Sequence, residues 1–591
     1  MYILGISCFY HDSAAALLRG GELIAAAEEE RFSRIKHDFS FPQRSISYCL
    51  EEAGITAKEL EYIVFYEKPF QKLDRIFMTS FQTFPRSWRM FTKAMFRWFG
   101  DKLWIKDIIQ KRIGIEPSKI LFEDHHLSHA ASAFYCSPFE EAAILTLDGV
   151  GEWTTAAMGR AKGNDISLFD EIRFPHSLGL LYSAFTAFLG FQVNEGEYKV
   201  MGMAPYGHPK YTDRITDKLI HISDDGSFRI NMNFFSYHYS DERTFNSKFI
   251  ELFGAPRNPE MHFFTSKTRF PSYFGEKPAD FNEQCRLNEH YADIAASIQK
   301  VTEEIVLRLA VNLHQRTGLT KLCMAGGCAL NSVANGRILN ETPFEDIFIQ
   351  PAAGDSGGAL GAALHIYHAL LGNPRTFVLE HTYYGKKYSE SDIMSFLDSQ
   401  NIKYEHFSDD DKLMDRVIDD LVNQKVIGWY QGRFEWGPRA LGNRSILADP
   451  RSEMMKDTVN MKIKFREPFR PFAPVILEQN TDDFFVGRNT VRQYPSRFMQ
   501  FVLPLKEDKR DKIKAVNHFG TGRLQTIRKE WNSRYYTIVE RFGQATGVPV
   551  LLNTSFNLKG EPIVATPADA YSTFNKSAID VLVLGNFMIR K

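Results

Sequence analysis

The stretch that decides the fold is residues 3–30, ILGISCFYHDSAAALLRGGELIAAAEEE. An apolar run is followed by a polar turn, a second apolar run, a Gly-Gly turn and a third apolar run. This pattern predicts three successive β-strands joined by tight turns. Residues 143–172, AILTLDGVGEWTTAAMGRAKGNDISLFDEI, repeat the same order of features. We therefore expect a duplicated α/β domain whose two halves share one plan.

Each copy places a polar turn directly after its first strand. The turn contains His11 and Asp12 in the first copy and Asp148 in the second. Such turns at the carboxyl ends of strands lie where an α/β sheet opens to a ligand. Two copies with a cleft between them are the plan of actin, sugar kinases and Hsp70, an analogy that concerns the fold alone.

The chain has 591 residues, which is too long for one hydrophobic core. Residues 288–317 show the periodicity of a helix, and the strand KLCMAGG (321–327) follows them. A Gly-rich turn then leads into a further helix, where backbone N–H groups can meet phosphate or ribose. The strand and helix pattern starts again after residue 381. We expect one domain over residues 1–370 and a second α/β domain over residues 381–591.

Composition narrows the class of protein. The net charge is −1, which gives no reason to expect nucleic acid as a partner. The six cysteines form no CxxC pair, so neither a disulfide framework nor a zinc ribbon is indicated. The N-terminus resembles a buried strand rather than a signal peptide, and no apolar run reaches membrane-spanning length. We expect a cytoplasmic protein without a membrane partner.

The sequence HHLSHAASAFY (125–135) is a candidate metal site. In a helix, His125 and His129 share one face, whereas His126 points elsewhere and is the weaker candidate. With Asp148 and Asp355 placed in turns, the set suits Fe(II), Mn(II) or Zn(II), and two histidines with carboxylates favour iron. The alternatives are solvated histidines, an Asx-turn at Asp148 and a helix N-cap at Asp355.

His11 ends the first strand and has two interpretations. It can act as a general base, or it can be a turn histidine bonded to the backbone. The sequence leaves both open.

A block rich in basic residues spans positions 433–470, with nine Lys or Arg against five Asp or Glu. Glycines and prolines interrupt it, so it does not have the spacing of a solvated helix face. It predicts a loop-borne anion site, with a salt-bridged surface as the alternative. No GxxxxGK[ST] loop is present, which argues against a P-loop NTPase. The candidate anion and acyl-group ligands in this half are Arg439, Arg444, Lys464, Arg470, Arg523, Asn553, Ser555 and Asn557.

Residues 68–112 contain eleven Lys or Arg against three acidic residues, interspersed with phenylalanine and tryptophan. This composition can indicate a nucleic-acid or membrane surface. The aromatic residues recur at helical spacing, which favours an amphipathic helical pair packed on its own domain. We expect the aromatic side chains to be buried and the cations to be solvated.

The chain resembles the O-carbamoyltransferase family in a set of motifs that occur in order. They are HDSAAAL, EEERFSRIKH, HHLSHAASA, LDGVGE, MGMAPYG, AGGCALN, GDSGGALGAA, GRFEWGPRALGNRSI, FREPFRPFAP and LLNTSFN. This family includes nodulation-factor and antibiotic-tailoring carbamoyltransferases. The resemblance covers essentially the whole chain. It implies an N-terminal actin-like (ASKHA-type) domain similar to the tRNA threonylcarbamoyltransferase. It also implies a C-terminal YrdC-like domain.

The resemblance implies a reaction in two steps. The C-terminal domain would condense carbamoyl phosphate with ATP, giving carbamoyl-adenylate and releasing pyrophosphate. Mg²⁺ would accompany the ATP. The N-terminal domain would then pass the carbamoyl group to a hydroxyl of a small molecule, such as a natural product or a sugar. The cofactor implied in that domain is a divalent metal, with Fe²⁺ favoured.

Site residues follow from the resemblance position by position. The metal ligands fall on His125, His129, Asp148 and Asp355, and the catalytic histidine falls on His11. The nucleotide turn of the N-terminal domain falls on Gly326, Gly327 and Asn331. A lysine near the transfer site falls on Lys199. The adenylate-forming site falls on Arg439, Arg444, Lys464, Arg470, Arg523 and Ser555, of which Arg439, Lys464 and Ser555 would be catalytic.

Two other functions stay open from the sequence. A tRNA threonylcarbamoyladenosine-forming enzyme would share both domain resemblances, but the net charge of −1 opposes tRNA binding. A kinase-like ATPase of the actin fold would leave the Arg-rich block of the second domain without a role.

Overall fold

The computed structural model describes residues 1–100, 102–268, 270–464 and 466–591, with all their side chains except those at 97, 272 and 492. It has an α/β fold, as predicted. The strands of its first part are β1 (Tyr2–Ser7), β2 (Ala14–Arg19), β3 (Glu22–Glu28), β4 (Leu60–Phe65), β5 (Ile120–Phe122), β6 (Glu141–Leu147), β7 (Thr154–Lys162), β8 (Asp165–Arg173), β9 (Ile220–Ile222), β10 (Phe228–Ile230), β11 (Lys321–Ala325) and β12 (Asp346–Ile349).

The predicted duplication is confirmed by the order of these strands. One five-stranded sheet has the order β3-β2-β1-β4-β5, and the other has β8-β7-β6-β11-β12. Strands β1, β4 and β5 are parallel to one another, and so are their counterparts β6, β11 and β12. Each sheet therefore places three consecutive strands beside two parallel strands that arrive later in the chain.

The helices of the same part include one that matches its prediction closely. The segment predicted at 288–317 forms the end of the longest helix, which stops at Gly318 in the left-handed conformation that favours glycine. The helices are α1 (Glu30–Ser33), α2 (Gln43–Ala53), α3 (Pro69–Thr83), α4 (Trp88–Gly100), α5 (Ile105–Ile113), α6 (His125–Phe134), α7 (Leu178–Phe188), α8 (Glu197–Met203), α9 (Thr212–Lys218), α10 (Ser247–Phe253), α11 (Phe281–Thr317), α12 (Ser332–Glu341) and α13 (Asp355–His365).

The C-terminal part is a nine-stranded mixed sheet with the order β13-β21-β20-β14-β15-β19-β16-β18-β17. Its core places Trp429, Leu551 and Val583 of the sheet against Val417 and Phe542 of the flanking helices. The elements are β13 (Glu405–His406), β14 (Ile427–Tyr430), β15 (Arg444–Ala448), β16 (Ala473–Leu477), β17 (Phe501–Pro504), β18 (Thr521–Ile527), β19 (Val550–Ser555), β20 (Val581–Leu584), β21 (Phe587–Arg590), α14 (Glu390–Ser399), α15 (Asp410–Val422), α16 (Met454–Val459), α17 (Thr481–Phe484), α18 (Tyr494–Arg497), α19 (Ser533–Thr546) and α20 (Pro567–Lys576).

The chain divides into two compact units, and neither is continuous in sequence. The first comprises residues 1–9, 17–22 and 55–378. The second comprises residues 10–16, 23–54 and 379–591. The functional division at residues 370–381 stays a prediction. Within the described residues, no helix has both the length and the apolar character needed to cross a membrane.

An N-terminal segment is anchored in the second unit through buried polar contacts. Arg31 donates a hydrogen bond to the carbonyl of Gly437 at 2.7 Å, and Glu28 accepts one from the Gly437 N–H at 2.7 Å. Arg34 donates to the carbonyls of Pro562 and Ile563 at 2.9 and 2.7 Å. Because these donors are paired with backbone carbonyls far along the chain, residues 23–54 are an integral part of this unit.

The prediction of buried aromatic side chains in residues 68–112 is wrong for most of them. Trp98 is 3% exposed, as expected. However, Phe70, Phe84, Trp88 and Trp104 are each more than half exposed. Their periodicity identified the helices correctly, but periodicity alone does not tell which face is turned inward.

Helices α6 and α13 approach each other at Gly361. A Cβ added there would lie 1.8 Å from the carbonyl oxygen of Ser128 and 2.7 Å from the backbone nitrogen of Ser132. Neither backbone atom can move without shifting its helix. The absence of a side chain at Gly361 therefore sets the distance between these two helices.

We expect Gly361→Ala to destabilise the protein by about 3 kcal/mol, because the added methyl group overpacks a contact made by backbone. Chemical denaturation measures the change in the free energy of unfolding. Gly100→Ala is the matched control: apart from its chain neighbours and the backbone of its own helix, no atom of the described residues lies within 4 Å of its added Cβ, so the change should stay within about 0.5 kcal/mol. Equal stability of the two variants would contradict the close approach.

Candidate functional site

The two histidines of α6 converge with two aspartates in the first unit. The Nε2 atoms of His125 and His129 are 3.1 Å apart. Oδ2 of Asp148 is 3.2 Å from Nε2 of His125, and Oδ1 of Asp355 is 3.8 and 3.9 Å from the two Nε2 atoms. All four residues are buried, and their ligand atoms lie within 4.8 Å of one another.

Each carboxylate is held by one oxygen and turns the other toward the imidazoles. The Gly327 N–H donates to Oδ1 of Asp148 at 2.8 Å, which leaves Oδ2 facing His125. The Tyr66 hydroxyl donates to Oδ2 of Asp355 at 3.2 Å, which leaves Oδ1 facing both histidines. Outer partners of this kind fix the orientation of metal ligands.

These residues fit a divalent metal ion. Two ligands at about 2.1 Å from a metal, at about a right angle, are about 3 Å apart, as the two Nε2 atoms are. Burial lowers the pKa of His125, but the hydrogen bond to Asp148 and the charge of Asp355 outweigh it and raise the pKa to about 9. Burial and the neighbouring His125 charge hold the pKa of His129 well below its usual value. The group thus favours positive charge at its centre, which a cation supplies.

His126 faces away from this centre, as the sequence predicted. Its Nδ1 is 2.8 Å from the Thr146 hydroxyl and its Nε2 is 2.9 Å from the Thr154 carbonyl. Sequence reasoning missed Glu152, which accepts hydrogen bonds from the N–H groups of Lys68 and His125 at 2.7 and 3.2 Å. Its only sequence signal is its place in LDGVGE, four residues after Asp148.

His11 belongs to a second cluster, in the second unit. Asp12 lies between two imidazoles: Oδ2 is 2.7 Å from Nδ1 of His11 and Oδ1 is 2.7 Å from Nδ1 of His37. Burial raises the pKa of Asp12, but hydrogen bonds from both imidazoles lower it well below its usual value. A carboxylate on Nδ1 fixes the tautomer and directs Nε2 outward, as in catalytic Asp-His pairs. The sequence did not reveal His37, because 25 residues separate it from Asp12.

Lys464 forms the centre of a third cluster, also in the second unit. Its ammonium group donates to the carbonyls of Ser555 and Asn557 at 2.6 and 3.0 Å. Its third proton is donated to the Asn557 side-chain oxygen at 2.7 Å, and the Ser555 hydroxyl lies 3.3 Å away. Burial, followed by the charges of Arg466 and Arg470, holds the Lys464 pKa well below its usual value. The four oxygens are neutral, so a phosphate placed here would stabilise the ammonium charge.

The predicted arginines occupy different environments. Arg444 is fully buried, lies 3.7 Å over the Tyr430 ring and donates to the carbonyls of Asn443 and Gly432 at 2.8 and 3.2 Å. The register of β15 and β19 pairs the residue after it, Ser445, with Ser555. Arg444 thus lies at the same sheet end as the Lys464 cluster.

The remaining ligands of this half lie on neighbouring elements. Arg470 forms an ion pair with Glu467 at 3.6 Å, and its charge acts on Lys464. Arg523 lies on β18, and Arg439 lies in the loop before β15. Asn553 donates to the side chain of Gln525 at 2.6 Å and to the carbonyl of Ala440 at 3.1 Å, so it holds that loop.

The predicted nucleotide turn in the first unit is shaped by Gly326 and Asn331. Gly326 has a φ of 95°, and a Cβ there would lie 2.2 Å from the Leu147 carbonyl oxygen. Asn331 caps α12 by accepting from the N–H of Ala334 at 3.2 Å. Lys199 lies in α8, with its ammonium group 5.4 Å from the centre of the Phe191 ring.

Comparison with protein families gives two matches. The model described as "Carbamoyltransferase N-terminus" matches residues 2–364, and the one described as "Carbamoyltransferase C-terminus" matches residues 418–591. Together they span most of the chain.

Curated relatives cover nearly all of the chain. An uncharacterized protein of Synechocystis sp. is 46% identical over 100% of this chain and 97% of the relative. The nodulation protein NolNO of Sinorhizobium fredii is 36% identical over 99% of this chain and 79% of its own length.

Two solved structures show only a distant likeness. Component A of the Acidaminococcus fermentans (R)-2-hydroxyglutaryl-CoA dehydratase is 14% identical over 63% of this chain and 99% of that one, with a TM-score of 0.29. HypF of T. kodakarensis is 14% identical over 63% of this chain and 48% of that one, with a TM-score of 0.31.

We expect His129→Gln to lose tightly bound divalent metal, because it removes one of two converging nitrogens. Metal content after dialysis against a chelator measures the loss, which should be about tenfold or more. The control is His126→Gln, which changes a neighbouring buried histidine that faces away and should keep its metal. A metal content that falls equally in both variants would contradict the four-residue site.

Proposed function

Because the chain belongs to the carbamoyltransferase family, we propose that it is an ATP-dependent O-carbamoyltransferase. It activates carbamoyl phosphate as carbamoyl-adenylate and transfers the carbamoyl group to a hydroxyl of a small molecule, such as a natural product or a sugar. The observation that carries this proposal is the buried Lys464 ammonium, which is surrounded by neutral oxygens and by arginine charge.

The activation step uses this positive charge. Water cleaves the P–O bond of carbamoyl phosphate and releases phosphate, and an oxygen of the resulting carbamate attacks the α-phosphorus of ATP. That bond forms as the bond to pyrophosphate breaks. Mg²⁺ brought in with ATP would neutralise part of the phosphate charge. Lys464, Arg439 and Arg470 stabilise the charge that develops on the phosphates, and Ser555 positions the carbamoyl group. Arg444 keeps its loop in place by its backbone hydrogen bonds.

The transfer step uses the His11 pair and the histidine-aspartate group. The acceptor oxygen attacks the carbamoyl carbon, AMP leaves with the bond electrons, and the hydroxyl proton passes to Nε2 of His11. Asp12 stabilises the imidazolium that forms. When bound by His125, His129, Asp148 and Asp355, a divalent ion, with Fe²⁺ favoured, supplies Lewis-acid polarisation of a carbonyl. Lys199 and the turn of Gly326, Gly327 and Asn331 bind the nucleotide part in the first unit.

We expect Lys464→Ala to abolish the exchange of labelled pyrophosphate into ATP that depends on carbamoyl phosphate, because the variant loses a buried charge at the phosphates. A fall of about a hundredfold or more is expected. Lys462→Ala is the matched control. Lys462 lies two residues away and pairs with Asp580 at 2.9 Å, so its removal should leave exchange intact. Exchange that persists in Lys464→Ala would contradict the activation site.

We expect His11→Gln to keep this exchange and to lose carbamoyl transfer by about a hundredfold or more, because the proton acceptor is removed after the adenylate has formed. Exchange and acceptor carbamoylation are measured on the same preparation. His129→Gln should behave in the same way through loss of metal. If His11→Gln loses both half-reactions while it stays folded, the assignment of His11 to transfer is wrong.

A further inference from the structure

Helix α3 has its two faces reversed with respect to an ordinary surface helix. Its exposed residues include Phe70, Met78 and Phe81, together with Asp74 and two glutamines, Gln71 and Gln82, and Phe81 is 75% exposed. The residues that it buries include Lys72, Arg75, Thr79 and Ser80. An apolar stripe normally faces the core, so this helix presents to the outside what most helices hide.

Both cations on the buried face of α3 are paired, so the reversal is specified by contacts. Lys72 forms an ion pair with Glu67 at 2.5 Å, with both side chains buried. Arg75 donates to the Gly151 carbonyl at 2.8 Å. Rotating α3 to bury its phenylalanines would break both contacts. Lys72 and Arg75, or their partners, would then lose their hydrogen bonds. The apolar face is therefore held outward by the fold.

Helix α4 repeats this arrangement. Trp88, Thr92, Phe96 and Phe99 follow a spacing of four, four and three along one face, and Phe96 is 83% exposed. Trp98, on the other side, is buried. The exposed apolar residues of these two helices and their connections form the aromatic patch: Phe70, Met78, Phe81, Phe84, Trp88, Phe96, Phe99 and Trp104.

Basic residues surround the aromatic patch. Residues 68–112 carry eleven Lys or Arg against three acidic residues in a chain whose net charge is −1. The exposed cations of this segment are Arg86, Arg89, Lys93, Lys106, Lys111 and Arg112. Of these, Lys93 is paired with Asp241 and Glu242 at 3.2 and 3.1 Å. Exposed apolar side chains gathered in one segment mark an interaction site, and the local excess of basic residues favours an anionic partner.

We propose that the aromatic patch docks on an anionic phospholipid surface. Large aromatic side chains insert at the boundary of headgroups and acyl chains, and each nearby Lys or Arg adds attraction to anionic headgroups. A second copy of the chain fits less well, because a two-fold interface would place one basic segment against another. Nucleic acid also fits less well, because it is bound mainly by cations contacting phosphates, whereas phenylalanine rings stand outermost here. This inference reverses the expectation, made from the sequence, of no membrane partner.

The test is flotation of the full chain with vesicles. We expect binding to vesicles of phosphatidylcholine with phosphatidylglycerol, little binding to phosphatidylcholine alone, and release at high salt. The variant Phe81→Ser, Phe96→Ser, Phe99→Ser should bind the anionic vesicles about tenfold more weakly or worse. Because these side chains are exposed, the variant should keep the wild-type melting temperature.

The matched control removes three exposed apolar side chains elsewhere, by Leu370→Ser, Val486→Ser and Phe519→Ser, and should bind vesicles like the wild type. A second variant, Arg89→Glu with Lys106→Glu, keeps the apolar face and should weaken binding to anionic vesicles only. Retained binding by the phenylalanine variant would overturn the proposal. The proposal would also be overturned if the wild type did not bind vesicles and instead formed a dimer that this variant dissociates. The same holds if the wild type bound tRNA through the same phenylalanines and did not bind vesicles. Carbamoyl transfer to a soluble acceptor is independent of all these outcomes.

Discussion

The contact between α6 and α13 at Gly361 is the constraint on which the first unit depends. Helix α6 supplies both histidines, and α13 begins with Asp355. A backbone contact at this point leaves no room for even a methyl group. Because the two helices cannot slide or separate without losing it, the distance from the imidazoles to the carboxylate is set by backbone packing beside His129 on α6 and one to two turns beyond Asp355 on α13.

The three clusters share one way of positioning a reactive group. Each group is fixed in place by a backbone group or by another side chain of its own unit. Gly327 and Tyr66 hold the two aspartates of the first unit, Asp12 holds His11, and the end of β19 holds Lys464. Holding each group in place before substrate arrives lowers the reorganisation needed during reaction.

The sequence predicted the features that repeat or stay local. The duplicated strands and the end of α11 follow from the apolar periodicity and a terminal glycine, and the orientation of His126 follows from helical spacing. It could not show that the Gly327 amide orients Asp148, or that Asp12 joins His37 to His11, because these contacts link distant segments. The sequence also could not show which face of α3 is buried, because that face is set by contacts with Glu67 and Gly151 rather than by the composition of the helix.

The second unit is assembled from three separate stretches of the chain, with Arg31 and Glu28 joined to Gly437. During synthesis, residues 23–54 leave the ribosome several hundred residues before Gly437, Pro562 and Ile563, the loop residues that complete their hydrogen bonds. Domain shuffling meets the same constraint. A C-terminal half taken from a relative must match the resident N-terminal segment, although two separate family models describe the two halves.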